Sequence, residues 1–192
     1  MTIRLITVKS YHLIVAIGLV IIYLRTKKCY DNTVGSQSKI DLAYIAGFLD
    51  GDGSLMLQIK KRGDSRLGWR FMSTICFYQD SRHETPLFWI RKKLGIGYIA
   101  RRNDGMTELR INGFKPVNEI LKNIMPYVKF KKHQALALSK ATALLVENKI
   151  SELNRAKLER IINYILTIQS ENYATKNKKS KSELETILGL TP

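Results

Sequence analysis

An α+β fold is predicted: a four-stranded antiparallel sheet in αββαββα order, with helices on one face and further helices at the C-terminal end. Three observations predict it. Two pairs of segments alternate with a period of two, and each pair is joined by a glycine-containing turn. Helix-patterned segments precede, separate and follow those pairs. The alternation collects apolar residues on one face and polar ones on the other, as in an antiparallel sheet with one wet face.

Taken in order, Asp41 to Asp50 reads as a short helix with alanine and glycine on one side and Asp41 as its N-cap. Gly51-Asp52-Gly53 ends it, because glycine leaves a helix without side-chain strain. Ser54 to Arg62 is the first strand, with Leu55, Leu57 and Ile59 facing one way and Met56, Gln58, Lys60 and Arg62 the other. Gly63-Asp64 and Gly68 mark the hairpin. In the second strand, Trp69 to Gln79, Phe71, Ser73, Ile75 and Phe77 oppose Arg70, Met72, Thr74, Cys76 and Tyr78. Thr85, as a cap, and Pro86, in the first turn, start a helix whose stripe is Leu87, Ile90 and Leu94, and Gly95 ends it. A second hairpin pairs 96–102 with 107–112 around Asn103-Asp104-Gly105, with Glu108, Arg110 and Asn112 on one polar face. Lys115 to Met125 is helical up to Pro126. Helices then follow near 132–147, 151–169 and 182–188.

The 192 residues carry 32 Lys and Arg against 16 Asp and Glu, a formal charge of +16, with 45% hydrophobic residues. That apolar share excludes wholesale disorder. The charge imbalance points to a polyanion, either nucleic acid or an anionic membrane. Two cysteines without a C-x-x-C pair, and three histidines, argue against a disulfide framework or a structural zinc site. There is no P-loop, no G-x-S-x-G and no H-E-x-x-H. Residues 1–38 read as an apolar extension and linker, 39–145 as the core, and 146–192 as a C-terminal helical segment. The core holds most of the charge, 18 basic residues against nine acidic in 41–140. Ser10 to Leu24 is an uncharged run of fifteen, flanked by basic residues and shorter than the roughly 20 residues a membrane-spanning helix needs. It reads as a leader or membrane-touching segment, or as a loosely packed extension, and membrane contact is expected nowhere else.

The polar face of the sheet would carry Gln58, Lys60, Arg62, Arg70, Met72, Arg102, Glu108, Arg110 and Asn112. Long amide and guanidinium side chains suit base edges in the major groove of double-stranded DNA, which a β-ribbon fits.

The helix-to-strand junction reads Leu42-Ala-Tyr-Ile-Ala-Gly-Phe-Leu-Asp-Gly-Asp-Gly53. It resembles the signature of the LAGLIDADG homing endonucleases, in their single-motif branch. The resemblance continues through Leu94-Gly-Ile-Gly-Tyr98, Lys115-Pro116 and Pro126 to Gln134, and covers roughly residues 41–145. Ala43, Ala46, Gly47 and Asp50 recur at three- and four-residue steps, a small-residue stripe that lets two helix backbones approach closely. Only one such motif occurs, so the expected partner is the same helix of a second copy, a homodimer that brings two Asp52 side chains together. The Asp52 carboxylate and the Gly51 carbonyl are hard oxygen ligands suited to Mg²⁺, with Mn²⁺ as a substitute and Ca²⁺ binding without cleavage. Asp50 is expected to cap or orient the turn.

The resemblance implies more. The sheet would be saddle-shaped, and the activity would be metal-assisted hydrolysis of both strands of a long, pseudo-palindromic DNA site, leaving short 3′ overhangs. Gln79 matches a glutamine that orders water at the metals, and Lys131 a lysine that polarises the site. The family often has a basic residue four positions after that glutamine. Here that position is His83, preceded by Arg82, and which of the two faces the phosphate stays open. A histidine would make activity more sensitive to pH below neutrality. The rival readings on the same scaffold are an RNA-binding, maturase-type splicing helper and a non-catalytic DNA-binding regulator. An intron-borne gene in a chloroplast or mitochondrion is the expected source, with a bacterial cytoplasm as the alternative.

Overall fold

Ser38, not Asp41, caps the first helix. In the computed structural model, which describes residues 37–63, 67–172 and 177–190, helix α1 spans Lys39–Asp52. The Ser38 hydroxyl accepts from the Asp41 N–H at 3.1 Å, and the Asp41 carboxylate accepts from the Ser38 N–H at 3.1 Å. This reciprocal box satisfies two end donors, so the helix starts earlier than the glycine and alanine spacing predicts. It also runs on to Asp52 and is stopped by Gly53, where a Cβ would lie 2.7 Å from the Leu49 backbone. The N-terminal extension, including Ser10–Leu24 and Cys29, and the turn residue Asp64 lie outside the described residues.

Four antiparallel strands follow: β1 (Gly53–Lys61), β2 (Trp69–Asp80), β3 (Tyr98–Arg101) and β4 (Met106–Asn112). Their order is β1-β2-β4-β3. Alternation holds in β1, with Leu55, Leu57 and Ile59 buried and their neighbours partly exposed. The apolar faces of β1, β2 and β4 meet α1, α2 (Thr85–Leu94), α3 (Phe114–Ile124) and α4 (Lys132–Glu147) in one core. Ile45, Leu49, Leu55, Ile75, Phe77, Leu87, Leu109, Leu121 and Leu138 are fully buried there. Burying one such side chain stabilises the fold by about 1.5–3 kcal/mol.

Thr85 is not the cap of α2. Glu84 holds that position and makes no capping bond, because its carboxylate accepts instead from the Thr107 hydroxyl at 2.6 Å and from Arg101. The helix predicted over 151–169 is split. A 3₁₀ turn, Ile150–Glu152, precedes α5 (Arg155–Glu171), which Asn154 caps by accepting from the Lys157 N–H at 3.0 Å. The short helix α6 (Lys181–Ile187) begins with a second reciprocal box, between Ser180 and Glu183.

The expected boundary at 145 falls inside α4, and residues from Gln37 onward form one compact unit. The reason is packing: α5 lies against α4 and β1, burying Ile161, Ile162 and Ile165 in the common core. At the exposed edge of β1, the Asn172 amide donates to the Leu55 carbonyl at 3.2 Å, filling one unpaired edge acceptor. No helix among the described residues is long and apolar enough to cross a membrane.

Candidate functional site

The end of α1 carries two exposed oxygen donors, the Asp52 carboxylate and the Gly51 carbonyl. Beneath them sits Lys131, only 7% exposed, at the start of α4. Its Nζ donates to the Asp50 carbonyl at 2.5 Å and lies 3.5 Å from the Gly51 carbonyl. Burial pushes this ammonium below the usual lysine range, while the nearby Asp50 and Asp52 carboxylates pull the other way. The Asp50 carboxylate accepts three backbone N–H groups, from Lys129 at 2.7 Å, Phe130 at 3.1 Å and Lys131 at 2.9 Å. It therefore clamps the 129–131 loop under the helix end and holds Lys131 there.

Gln79, Arg82 and His83 come to the same end of the sheet. Gly53 pairs with Phe77, so β2 runs three residues past that pair before the 3₁₀ turn Ser81–His83. The Gln79 Oε1 accepts from the Asp80 N–H at 2.9 Å, which leaves its amide nitrogen free to donate. Arg82 and His83 differ in their partners. The Asp80 carboxylate takes the Arg82 guanidinium in a two-point pair, Nε at 3.0 Å and Nη2 at 2.7 Å, and is held well below the usual carboxylate range by it. His83 is exposed and has no hydrogen-bond partner among the described residues. Asp80 as a partner of Arg82 was not read from the sequence; the signal was there, an acid two residues before a base just past a strand end.

The two donors at Asp52 and Gly51 suit a hard divalent cation that keeps several waters and takes phosphate oxygens as further ligands. Among the described residues no three His, Cys, Asp or Glu side chains converge as an all-protein metal cage.

The open face of the sheet is built in rows that the register defines. Lys60 pairs with Arg70, Gln58 with Met72, and Met56 with Thr74 and Asn112 through β2. Cys76 sits between Ser54 and Arg110, with Tyr98 beyond on β3. Lys60 and Arg70 are exposed. Arg62 is exposed at the end of β1, and Arg102 pairs with Asp104 at 2.7 Å in the second hairpin turn. Glu108 is not a free acceptor. It is 7% exposed; its Oε2 accepts from Nη2 of Arg110 at 3.0 Å, and its Oε1 lies 2.9 Å from the same nitrogen. The Thr74 hydroxyl donates to the Asn112 Oδ1 at 2.7 Å. Burial pushes the Cys76 thiol and the Tyr78 hydroxyl upward, so both stay protonated in the middle of this face.

The expected small-residue stripe on α1 is shifted. Ala46 is completely buried against its own sheet, and the Asp50 carboxylate is turned to the 129–131 loop. Helix phase leaves Ile40, Ala43, Tyr44, Gly47 and Gly51 as the exposed row. Above Gly47 and Gly51 a Cβ would meet nothing within 4 Å among the described residues.

A profile described as LAGLIDADG endonuclease matches residues 45–140. The chain is 33% identical over 99 residues to the DNA endonuclease I-CvuI of Chlorella vulgaris, covering 52% of this chain and 62% of that protein. It is 30% identical over 94 residues to the DNA endonuclease I-CreI of Chlamydomonas reinhardtii, covering 49% and 57%. The matched stretch thus spans less than two thirds of either relative. The fold is similar to the crystal structure of I-CvuI in complex with its target, with a TM-score of 0.70 at 24% identity over 79% of this chain and 94% of that one. With half of its residues matched by the family profile, and the motif standing at the junction of α1 and β1, this chain belongs to the LAGLIDADG endonuclease family.

Proposed function

We propose that this protein is a homodimeric DNA endonuclease that cuts both strands of a long, roughly two-fold site with the help of divalent cations. The observation that carries the reading is the exposed Asp52 carboxylate beside the Gly51 carbonyl. Both lie at the end of a small-residue helix face and at the sheet end that holds Lys131 and Gln79. Family membership and the two DNA endonucleases it resembles support it.

Hydrolysis forms a bond between a water oxygen and phosphorus and breaks the bond from phosphorus to the 3′ oxygen. Asp52 and Gly51 would hold a cation, Mg²⁺ by preference, which supplies Lewis-acid stabilisation of the phosphate and acidifies water. The Gln79 amide nitrogen is free to donate to and align the attacking water, since its oxygen is held by Asp80. Lys131 keeps a positive charge under the helix end, where negative charge grows on the phosphate. His83, exposed and unengaged, is the basic group we assign to the phosphate, with Arg82 drawn off by Asp80.

Dimerisation through α1 would place one such site against each strand. An interior helical glycine costs about 1 kcal/mol relative to alanine. At Gly47 no contact among the described residues offsets that cost, whereas the close approach of a second helix would. An intron-borne organellar gene is the proposed source. Asp52→Asn is expected to bind duplex DNA as the wild type does and to lose cutting. Electrophoretic retardation and plasmid cleavage with the purified chain check this, and cutting at the wild-type rate would remove Asp52 from the mechanism. An RNA splicing helper or a non-catalytic regulator would instead leave plasmid intact with wild-type protein.

A further inference from the structure

The rows of the open face differ in what they offer a base pair. Outward from the Asp52 end, the first row that crosses all four strands is Ser54, Cys76, Arg110 and Tyr98. The fourth is Lys60 and Arg70. Successive rows are two residues apart, about 6.7 Å, so the first and fourth are separated by roughly 20 Å. At about 3.4 Å of rise per base pair, that is roughly six base pairs for a ribbon lying along the groove.

Among the described residues these are the two rows across paired strands that present cationic donors; Arg62 follows just past the end of β1, and Arg102 is paired with Asp104 in the second hairpin turn. Arg110 is held by Glu108, almost wholly shielded, whose Oε2 accepts from Nη2 and whose Oε1 lies 2.9 Å from it, while Nε is buried with no hydrogen-bond partner among the described residues. The Arg110 side chain is still 29% exposed, and a guanidinium matches the O6 and N7 acceptors of guanine. Lys60 and Arg70 are exposed side by side and have no ion-pair partner among the described residues. The rows between are poorer. Met56 and Met72 have no hydrogen to donate, the Thr74 hydroxyl is spent on Asn112, and Gln58 keeps a complete amide.

We infer that each half of the target duplex is read at two separated G·C pairs about six base pairs apart, the inner by Arg110 and the outer by Lys60 and Arg70. Glu108 is a positioning residue for Arg110, not a base contact. This deepens the proposed function and rests on the open face being the DNA surface.

The test selects bound duplexes from a fully randomised library with the full-length chain in EDTA, which prevents cutting, and sequences them. Wild type is expected to enrich two G·C points per half-site at that spacing. Glu108→Gln is expected to weaken the inner preference alone, by roughly five- to a hundredfold, the value of a bidentate contact. Lys60→Ala with Arg70→Ala should flatten the outer one alone. If Arg110→Ala melts below wild type, Arg110→Lys keeps the charge without the guanidinium and should lose the inner preference. A selected motif lacking the two points, or an inner preference unchanged in Glu108→Gln, overturns the inference while leaving the DNA-binding reading intact. Loss in Glu108→Gln of a cytosine preference that Arg110→Lys retains also overturns it, since Glu108 would then read a base directly. No selected motif at all would overturn both this inference and the proposed function.

Discussion

Three backbone N–H groups converge on the Asp50 carboxylate, and through them a loop some 80 residues away in sequence is fastened beneath the end of α1. Removing that acceptor leaves three donors to find water and lets Lys131 drift from the Asp50 carbonyl. Asp50→Ala is therefore expected to lower stability by about 1–3 kcal/mol in a denaturant titration, and to slow cutting more than it weakens DNA binding. A second residue works through pH. Hydrogen bonds from Arg101, and then from Thr107, lower the Glu84 carboxyl to about 2. A carboxylate depressed on folding stabilises the native state above its unfolded pKa of about 4.3, and loses that contribution as pH falls through the folded value. Stability should thus drop between about pH 4.5 and 2, and Glu84→Gln should flatten the drop in thermal melts over that range. Asp52, Gln79 and Lys131 could be singled out as candidates from the sequence because they fall at motif positions, and the structure brings them to one end of the sheet. The roles of Asp50, Asp80 and Glu108 could not be read there, because each depends on which partner its carboxylate meets.

At the scale of elements, α1 serves two purposes on two faces. One, with Ile45, Ala46 and Leu49, packs on the sheet; the other exposes Ala43, Gly47 and Gly51. Gly47→Leu adds a side chain into open space within its own chain, so fold and melting temperature should hold. The proposed dimer should not survive, because the helices could no longer approach. Light scattering checks the prediction: a monomer mass with an unchanged melt is expected, and an unchanged dimer would move the interface elsewhere. Strand positions and their alternation were readable to within a residue or two, since they follow from local pattern. Helix starts were less so. Ser38 outcompeted Asp41 as a cap because Asp41 could complete the box from inside the helix, and Glu84 displaced Thr85 while its side chain was drawn across to β3 and β4.

Across the whole molecule the formal charge is +16, and in the body formed from Gln37 onward the C-terminal helices share the core. A chain so basic should bind DNA mainly by displacing counterions. With six to ten phosphate contacts, affinity should fall by about 10³–10⁵ between roughly 50 and 200 mM salt, as fluorescence anisotropy over a salt series would read. A nearly flat salt response would assign the basic surface to some other role. The C-terminal helical segment expected over 146–192 packs into the common core. Helical periodicity marks an apolar face on α5 but does not say against what it packs, and here the partners are α4 and β1.

The sequence by itself determined the order of elements, the wet and dry faces of the sheet, the motif at the α1–β1 junction and the sign of the surface charge. All of these are encoded in neighbours a few residues apart. Only the tertiary structure decided that Ala46 faces inward, that Asp50 holds Lys131, that Asp80 pairs with Arg82, and that Glu108 pairs with Arg110. Each of these turns on the phase of a helix or the direction of a charged side chain. Such directions are settled by hydrogen-bond partners and packing surfaces that the folded chain brings together, and spacing along the chain does not carry them.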